Sequence, residues 1–75
     1  MPYIAMKTYR KDAETKKRVV EKINRIFLEE WGCPPEAISI SLEEFTPEEF
    51  DEKVSKTEIE LKKDAMMILF GKKCY

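Results

Sequence analysis

Polar and apolar residues alternate at the start of the chain. In YIAMKTY, residues 3–9, Ile4, Met6 and Thr8 fall on one side and Tyr3, Ala5, Lys7 and Tyr9 on the other, which predicts a strand. The period then lengthens. Asp12 offers an N-cap, and in AETKKRVVEKINRIFLEEWG the residues Val19, Val20, Ile23, Phe27 and Trp31 form one apolar stripe at helical spacing. Glu14 with Arg18 and Glu21 with Arg25 stand four apart on the wet side, a favourable order of charges on a helix. Gly32 suits the left-handed stop of this helix, and Pro34-Pro35 forbid its continuation. Alternation returns in AISISLEE, where Ile38, Ile40 and Leu42 point one way and Ser39, Ser41 and Glu43 the other, a second strand.

The last segment, FTPEEFDEKVSKTEIELKKDAMMILFGKK, returns to helical signals. Thr46 as cap, Pro47 at the first helical position and Glu48-Glu49 in the first turn mark a strong start. Ser55 with Glu58 reads as a second capping box, and Gly71 as a stop after Ala65, Met66, Leu69 and Phe70. These signals predict a short helix over about 47–54 and a longer one over about 57–70, or a single bent helix.

The order strand, helix, strand predicts a βαβ unit in an α/β fold. A helix over 13–31 is ~28 Å long at 1.5 Å per residue. The first strand covers ~23 Å. The helix therefore carries the chain back to where that strand began, and the second strand lies parallel to the first after a right-handed crossover. The even-numbered faces of both strands then pack on the helical stripe, and Pro2 lies near residues 37–39. Arg10 and Lys11 fall ~26 Å away at the far end of the first strand, so a cation from that corner serves Pro2 only from another subunit.

Size and charge sharpen the picture. Seventy-five residues make one small domain, and ordering them costs roughly 1.5 kcal/mol each. So short a chain needs extra burial or cross-links. Cys33 and Cys74 match no zinc spacing, and histidine is absent, which argues against a metal site. One disulfide could form but resembles no secreted framework, so association of subunits is the expected source of burial. Two strands covered on one face also leave edges and a second face open. A dimer joining two βαβ units into one four-stranded sheet closes them. The 14 basic and 15 acidic residues nearly balance, at a net charge of −1, which argues against a general nucleic-acid or acidic-membrane binder. No apolar run approaches the roughly 18 residues that span a bilayer. Lys7, Arg10 and Lys11 interrupt the N-terminus too early for a signal peptide, and a cytoplasmic protein is expected.

Pro2 carries the candidate chemistry. Proline is tolerated at the first residue of a strand, where its missing N–H costs no ladder bond. Removal of Met1, usual in front of a small second residue, would turn the Pro2 nitrogen from an amide into a basic secondary amine.

A Met-Pro start, a strand, DAETKKRVVEKI, a stop at WGCPPEAISI and an acidic tail to the second strand together resemble the 4-oxalocrotonate tautomerase family. The stretch ISISLEEFTPEEFDEKV and the ending GKKCY look like its longer, dimeric bacterial members. The resemblance implies a cofactor-independent keto–enol tautomerase in which Pro2, freed of Met1, is the general base. It implies a homodimer or higher homo-oligomer whose sites lie at subunit boundaries and take a small enol or keto acid. The family's first arginine corresponds to Arg10 or Lys11, and its aromatic wall to Phe50. Its second arginine falls on Ser39, which donates one hydrogen bond but brings no charge, so a less charged enol, keto acid or aromatic substrate fits better than a dicarboxylate. The other reading of the same scaffold is a non-catalytic oligomer that binds a small molecule. Taken alone, Arg10 and Lys11 read as a solvated approach to the helix, Ser39 as the outward residue of an alternating strand, and Phe50 equally as core.

Overall fold

The computed structural model describes residues Met1–Tyr75 throughout. The chain forms two compact units, Met1–Glu44 and Phe45–Tyr75.

The first unit is the expected βαβ arrangement. Strand β1 runs Tyr3–Tyr9, helix α1 Ala13–Ile26, and strand β2 Ser39–Phe45, its last residue opening the second unit. β1 and β2 pair in parallel. Asp12 caps α1 as its short side chain allows: Oδ2 accepts the Thr15 N–H at 2.9 Å, and Oδ1 accepts the Thr15 hydroxyl at 2.8 Å. This relieves donors that the first helical turn leaves unpaired.

α1 does not stay α-helical to Trp31. From Phe27 to Trp31 it widens into a π turn before Gly32 ends it at φ 72°, in the left-handed region that glycine tolerates. Val20, Ile23 and Phe27 of the stripe are half-buried. Val19 and Trp31 are exposed, Trp31 at 71%, so the stripe is narrower than its spacing predicts. Widening adds a residue to the turn, and the Trp31 ring, 5.5 Å from Phe27 between centroids, remains largely in solvent. Pro35–Ala37 make one 3₁₀ turn before β2 and bury Ala37. Ile4, Met6 and Thr8 of β1, Ile40 and Leu42 of β2, and Ile38 just before β2 are half-buried as expected.

In the second unit α2, Pro47–Phe50, begins with the expected capping box. Thr46 Oγ1 accepts the Glu49 N–H at 3.2 Å, and Glu49 Oε1 accepts the Thr46 N–H at 3.0 Å. Replacing Thr46 with alanine should cost about 1 kcal/mol of stability, the usual worth of such a cap, read from a denaturant titration of the full chain.

The predicted second helix over 57–70 is not formed. The helix begun at Pro47 runs on as wide π turns through Asp51–Ile59. The Glu60 N–H reaches back five residues to the Ser55 carbonyl at 2.9 Å. Ser55 lies inside a continuing helix and starts nothing. After a 3₁₀ turn at Lys63–Ala65, β3 (Ile68–Leu69) and β4 (Lys72–Lys73) form an antiparallel hairpin. Leu69 faces Lys72 and Ile68 faces Lys73. Both residues of the connecting loop have positive φ, Phe70 at 48° and Gly71 at 83°, as a two-residue turn matched to strand twist requires. A glycine with positive φ serves a helix stop and this turn equally well, which is why Gly71 reads as a helix end in the sequence.

Ala37, 7% exposed, and Val54, 5% exposed, are the only buried apolar residues. Both cysteines are free thiols. No helix is long and apolar enough to cross a membrane.

Candidate active site

Pro2 stands where the parallel arrangement requires. Its carbonyl accepts the Ser39 N–H at 3.2 Å, which ties the head of β1 to the head of β2. Pro2 is half-buried, whereas Met1 projects into solvent at 97% exposure. Ser39 and Ser41 lie on the odd-numbered face. There the Tyr3 and Ser41 hydroxyls share a hydrogen bond at 3.2 Å. Pro2 thus has a strand-head backbone, a serine at its own level and a tyrosine–serine pair one step further on.

Arg10 and Lys11 occupy the opposite end of the same sheet. The Lys11 backbone N–H donates to Glu44 Oε2 at 2.8 Å, and Lys16 Nζ donates to Glu44 Oε1 at 2.9 Å. One carboxylate therefore closes the turn between β1 and α1 and holds the first turn of the helix. The structure brings Pro2 and Ser39 together and sets Arg10 and Lys11 apart from them within one chain. Phe50 belongs to the second unit, where its ring meets Phe45 edge-on, with centroids 6.4 Å apart.

Glu44 escapes a search for chemistry in the sequence because it reads as the polar tail of a strand. Its position held a signal nonetheless. It continues the even-numbered series Ile38, Ile40, Leu42, so it faces the helix, where Lys16 lies in reach.

Hydrogen bonds from the Lys11 backbone and the Lys16 side chain hold the Glu44 carboxyl below its usual range. The Thr15 backbone and hydroxyl do the same for Asp12. Both acids bind a proton less readily folded than unfolded. They add stability above the ordinary carboxylate range, and it is lost as pH falls through their lowered values. Acid titration should destabilise the first unit, and Glu44→Gln should flatten that pH dependence, as followed by helical circular dichroism under denaturant.

The surface of the first unit carries several hollows. One of about 300 Å³ is lined by Met6, Thr8, Val19 and Leu42 together with parts of Lys11, Thr15 and Lys16. A second of about 340 Å³ shares Lys16 and Leu42 with it. A third, about 290 Å³, lies beside Arg25 and Ile26 of α1 and Glu29 of the π turn that follows it.

No family model matches the chain, and no curated protein matches it.

Proposed function

We propose that the chain is a small, cofactor-independent keto–enol tautomerase of the 4-oxalocrotonate tautomerase type, with the Pro2 amine as its general base once Met1 is removed. The observation that supports this is the Ser39 N–H bond to the Pro2 carbonyl. It sets a half-buried Pro2 at the head of a parallel pair behind a Met1 open to an aminopeptidase. An α-amino group titrates near ~8, and apolar surroundings or nearby cations lower that value towards neutral pH. The amine can then take a proton from a carbon beside a carbonyl, or from an enol oxygen, and return it elsewhere.

The remaining parts come from a second subunit. The open edges of the β1–β2 sheet are where two βαβ units join into one four-stranded sheet, and the exposed odd-numbered face, with Tyr3 and Tyr9, is covered in the same assembly. Such a joint supplies a partner's Arg10 or Lys11 to hold the enolate-like oxygen, as this chemistry requires. Ser39 donates a hydrogen bond to substrate. The molecule acts in the cytoplasm on an enol or keto acid.

Kinetics of the processed protein with a simple enol pyruvate test the assignment, together with intact-mass measurement showing the loss of Met1. Retention of Met1 in protein from its native host removes the base.

A non-catalytic, small-molecule-binding role on the same scaffold is the second reading. It draws on the apolar hollow lined by Met6, Val19 and Leu42, which suits a small apolar molecule and makes no use of Pro2.

A further inference from the structure

Tyr3 and Ser41 share a hydrogen bond that the Pro2 chemistry leaves unused. The Tyr3 hydroxyl and Ser41 Oγ stand 3.2 Å apart, across β1 and β2. They lie at the end of the sheet where Pro2 stands. There the Ser39 N–H bond to the Pro2 carbonyl, at 3.2 Å, sets the level of the two strand heads. Ser39 and Ser41 are successive residues of one face, because side chains alternate along a strand. Ser41 therefore lies about 6.6 Å beyond Ser39 at the usual rise per residue. Tyr3 follows Pro2 directly, and its hydroxyl meets the farther of the two serines. A row of hydroxyls thus runs from the chain head along the odd-numbered face, Ser39 first and then the Tyr3–Ser41 pair.

Two hydroxyls bring two donor protons and four lone pairs, and a bond between them uses one of each. One proton and three lone pairs remain, so the pair can donate to and accept from the same ligand group. An alcohol matches that set, since it also donates and accepts. A carboxylate only accepts, and neither side chain supplies the charge that would offset its desolvation. Tyr3 is 69% exposed and Ser41 half-buried, so the pair opens onto the odd-numbered face. The mutual bond fixes both oxygens before a ligand arrives, and less freedom is lost on binding. The assembly proposed above covers this face, and out of water a neutral hydrogen bond counts for more. A cross-strand pair can also serve the sheet alone. This one stands from Pro2 at about the length of a short carbon chain.

We propose that the Tyr3–Ser41 pair is a specificity subsite for the far end of the substrate, and that this end carries an uncharged hydroxyl. The inference rests on the Pro2 reading above and names the class of enol or keto acid that the site takes. The acid end lies at Pro2. There a C–H bond beside the carbonyl breaks, its proton passes to the ring nitrogen, and the electron pair moves onto the carbonyl oxygen. Return of the proton to carbon reverses the step. Tyr3 and Ser41 exchange no proton with the substrate. The free proton of the pair donates to the terminal hydroxyl, and one of its lone pairs accepts from it.

Exchange of the hydrogens beside the carbonyl for deuterium, followed by proton NMR of the processed protein in heavy water, tests the proposal. The probes are straight-chain 2-oxo acids of graded length that end in a hydroxyl, each beside its isostere ending in methyl. At one length the wild type should favour the hydroxyl member by about tenfold in kcat/KM, as one or two neutral hydrogen bonds provide. Tyr3→Phe and Ser41→Ala should each bring that ratio close to one. Pro2→Ala should slow both members and keep the ratio. Circular dichroism and sedimentation velocity check that each variant folds and assembles as the wild type does. A ratio near one at every length, with exchange still dependent on Pro2, would overturn the subsite and leave the proline chemistry standing. So would a Tyr3→Phe variant that slows both members alike, the mark of a purely structural bond. No exchange on any probe would sink both readings together.

Discussion

Pro2→Ala, with the new N-terminus still free, is expected to slow ketonisation of a simple enol pyruvate by at least roughly tenfold, the low side of what a positioned base contributes. The substitution keeps an α-amino group at the chain head. It tests the ring nitrogen and its placement, not the mere presence of an amine. The strand-head tie survives it, because Pro2 contributes its carbonyl to that bond. Loss of rate without loss of fold is therefore the expected pattern, read from initial rates beside a thermal melt. An unchanged rate would remove Pro2 from the mechanism and favour the binding role. The processed wild type should also show a rate that rises with pH as the amine loses its proton. A protein that keeps Met1 should show no such limb, because its proline nitrogen is an amide.

The largest effect on stability is expected at Val54. It is the one buried apolar side chain of the second unit, at 5% exposure. Shortening it to alanine removes two methyl-sized groups at ~0.8 kcal/mol each, plus a cavity term, for about 2 kcal/mol. Val54→Asp puts a carboxylate in the same place and should cost several kcal/mol, because a buried charge without a partner is among the most disruptive changes a fold can suffer. Amide hydrogen exchange is the suitable probe. Protection should fall across residues 45–75 in the aspartate variant, and to a lesser degree with alanine. Exchange unchanged in both would show that Val54 does not hold this unit together.

The parts legible in the sequence were those fixed by local chemistry. Asp12 before an apolar stripe, Thr46 three residues ahead of Glu49, and the alternation of Ile38, Ile40 and Leu42 each determine a backbone shape within a few residues, and each is found. Their order also predicted the parallel pairing that brings Ser39 to Pro2. Illegible were features decided by competition between two good solutions. Gly71 ends a helix or turns a hairpin with the same positive φ, and Ile68 followed by Leu69 suits a strand as well as a helix. Ser55 and Glu58 have the spacing of a cap, but a helix already under way at Pro47 passes through them. The π turns at Phe27–Trp31 leave no signature, because the residues of a wide turn are those of a narrow one. Of the candidate site, the closeness of Pro2 and Ser39 followed from topology alone. The role of Glu44 needed the third dimension, since its partners are a backbone N–H and a lysine of another element.

The bond between the heads of the two strands uses the Pro2 oxygen and leaves the ring nitrogen out of the ladder. The sheet is thus indifferent to whether the initiator residue is still attached. Trimming can happen on the ribosome, in the finished molecule, or late and incompletely, and the architecture is the same each time. On the proposed reading, exopeptidase action alone converts the silent form into the active one, with no refolding step between the two.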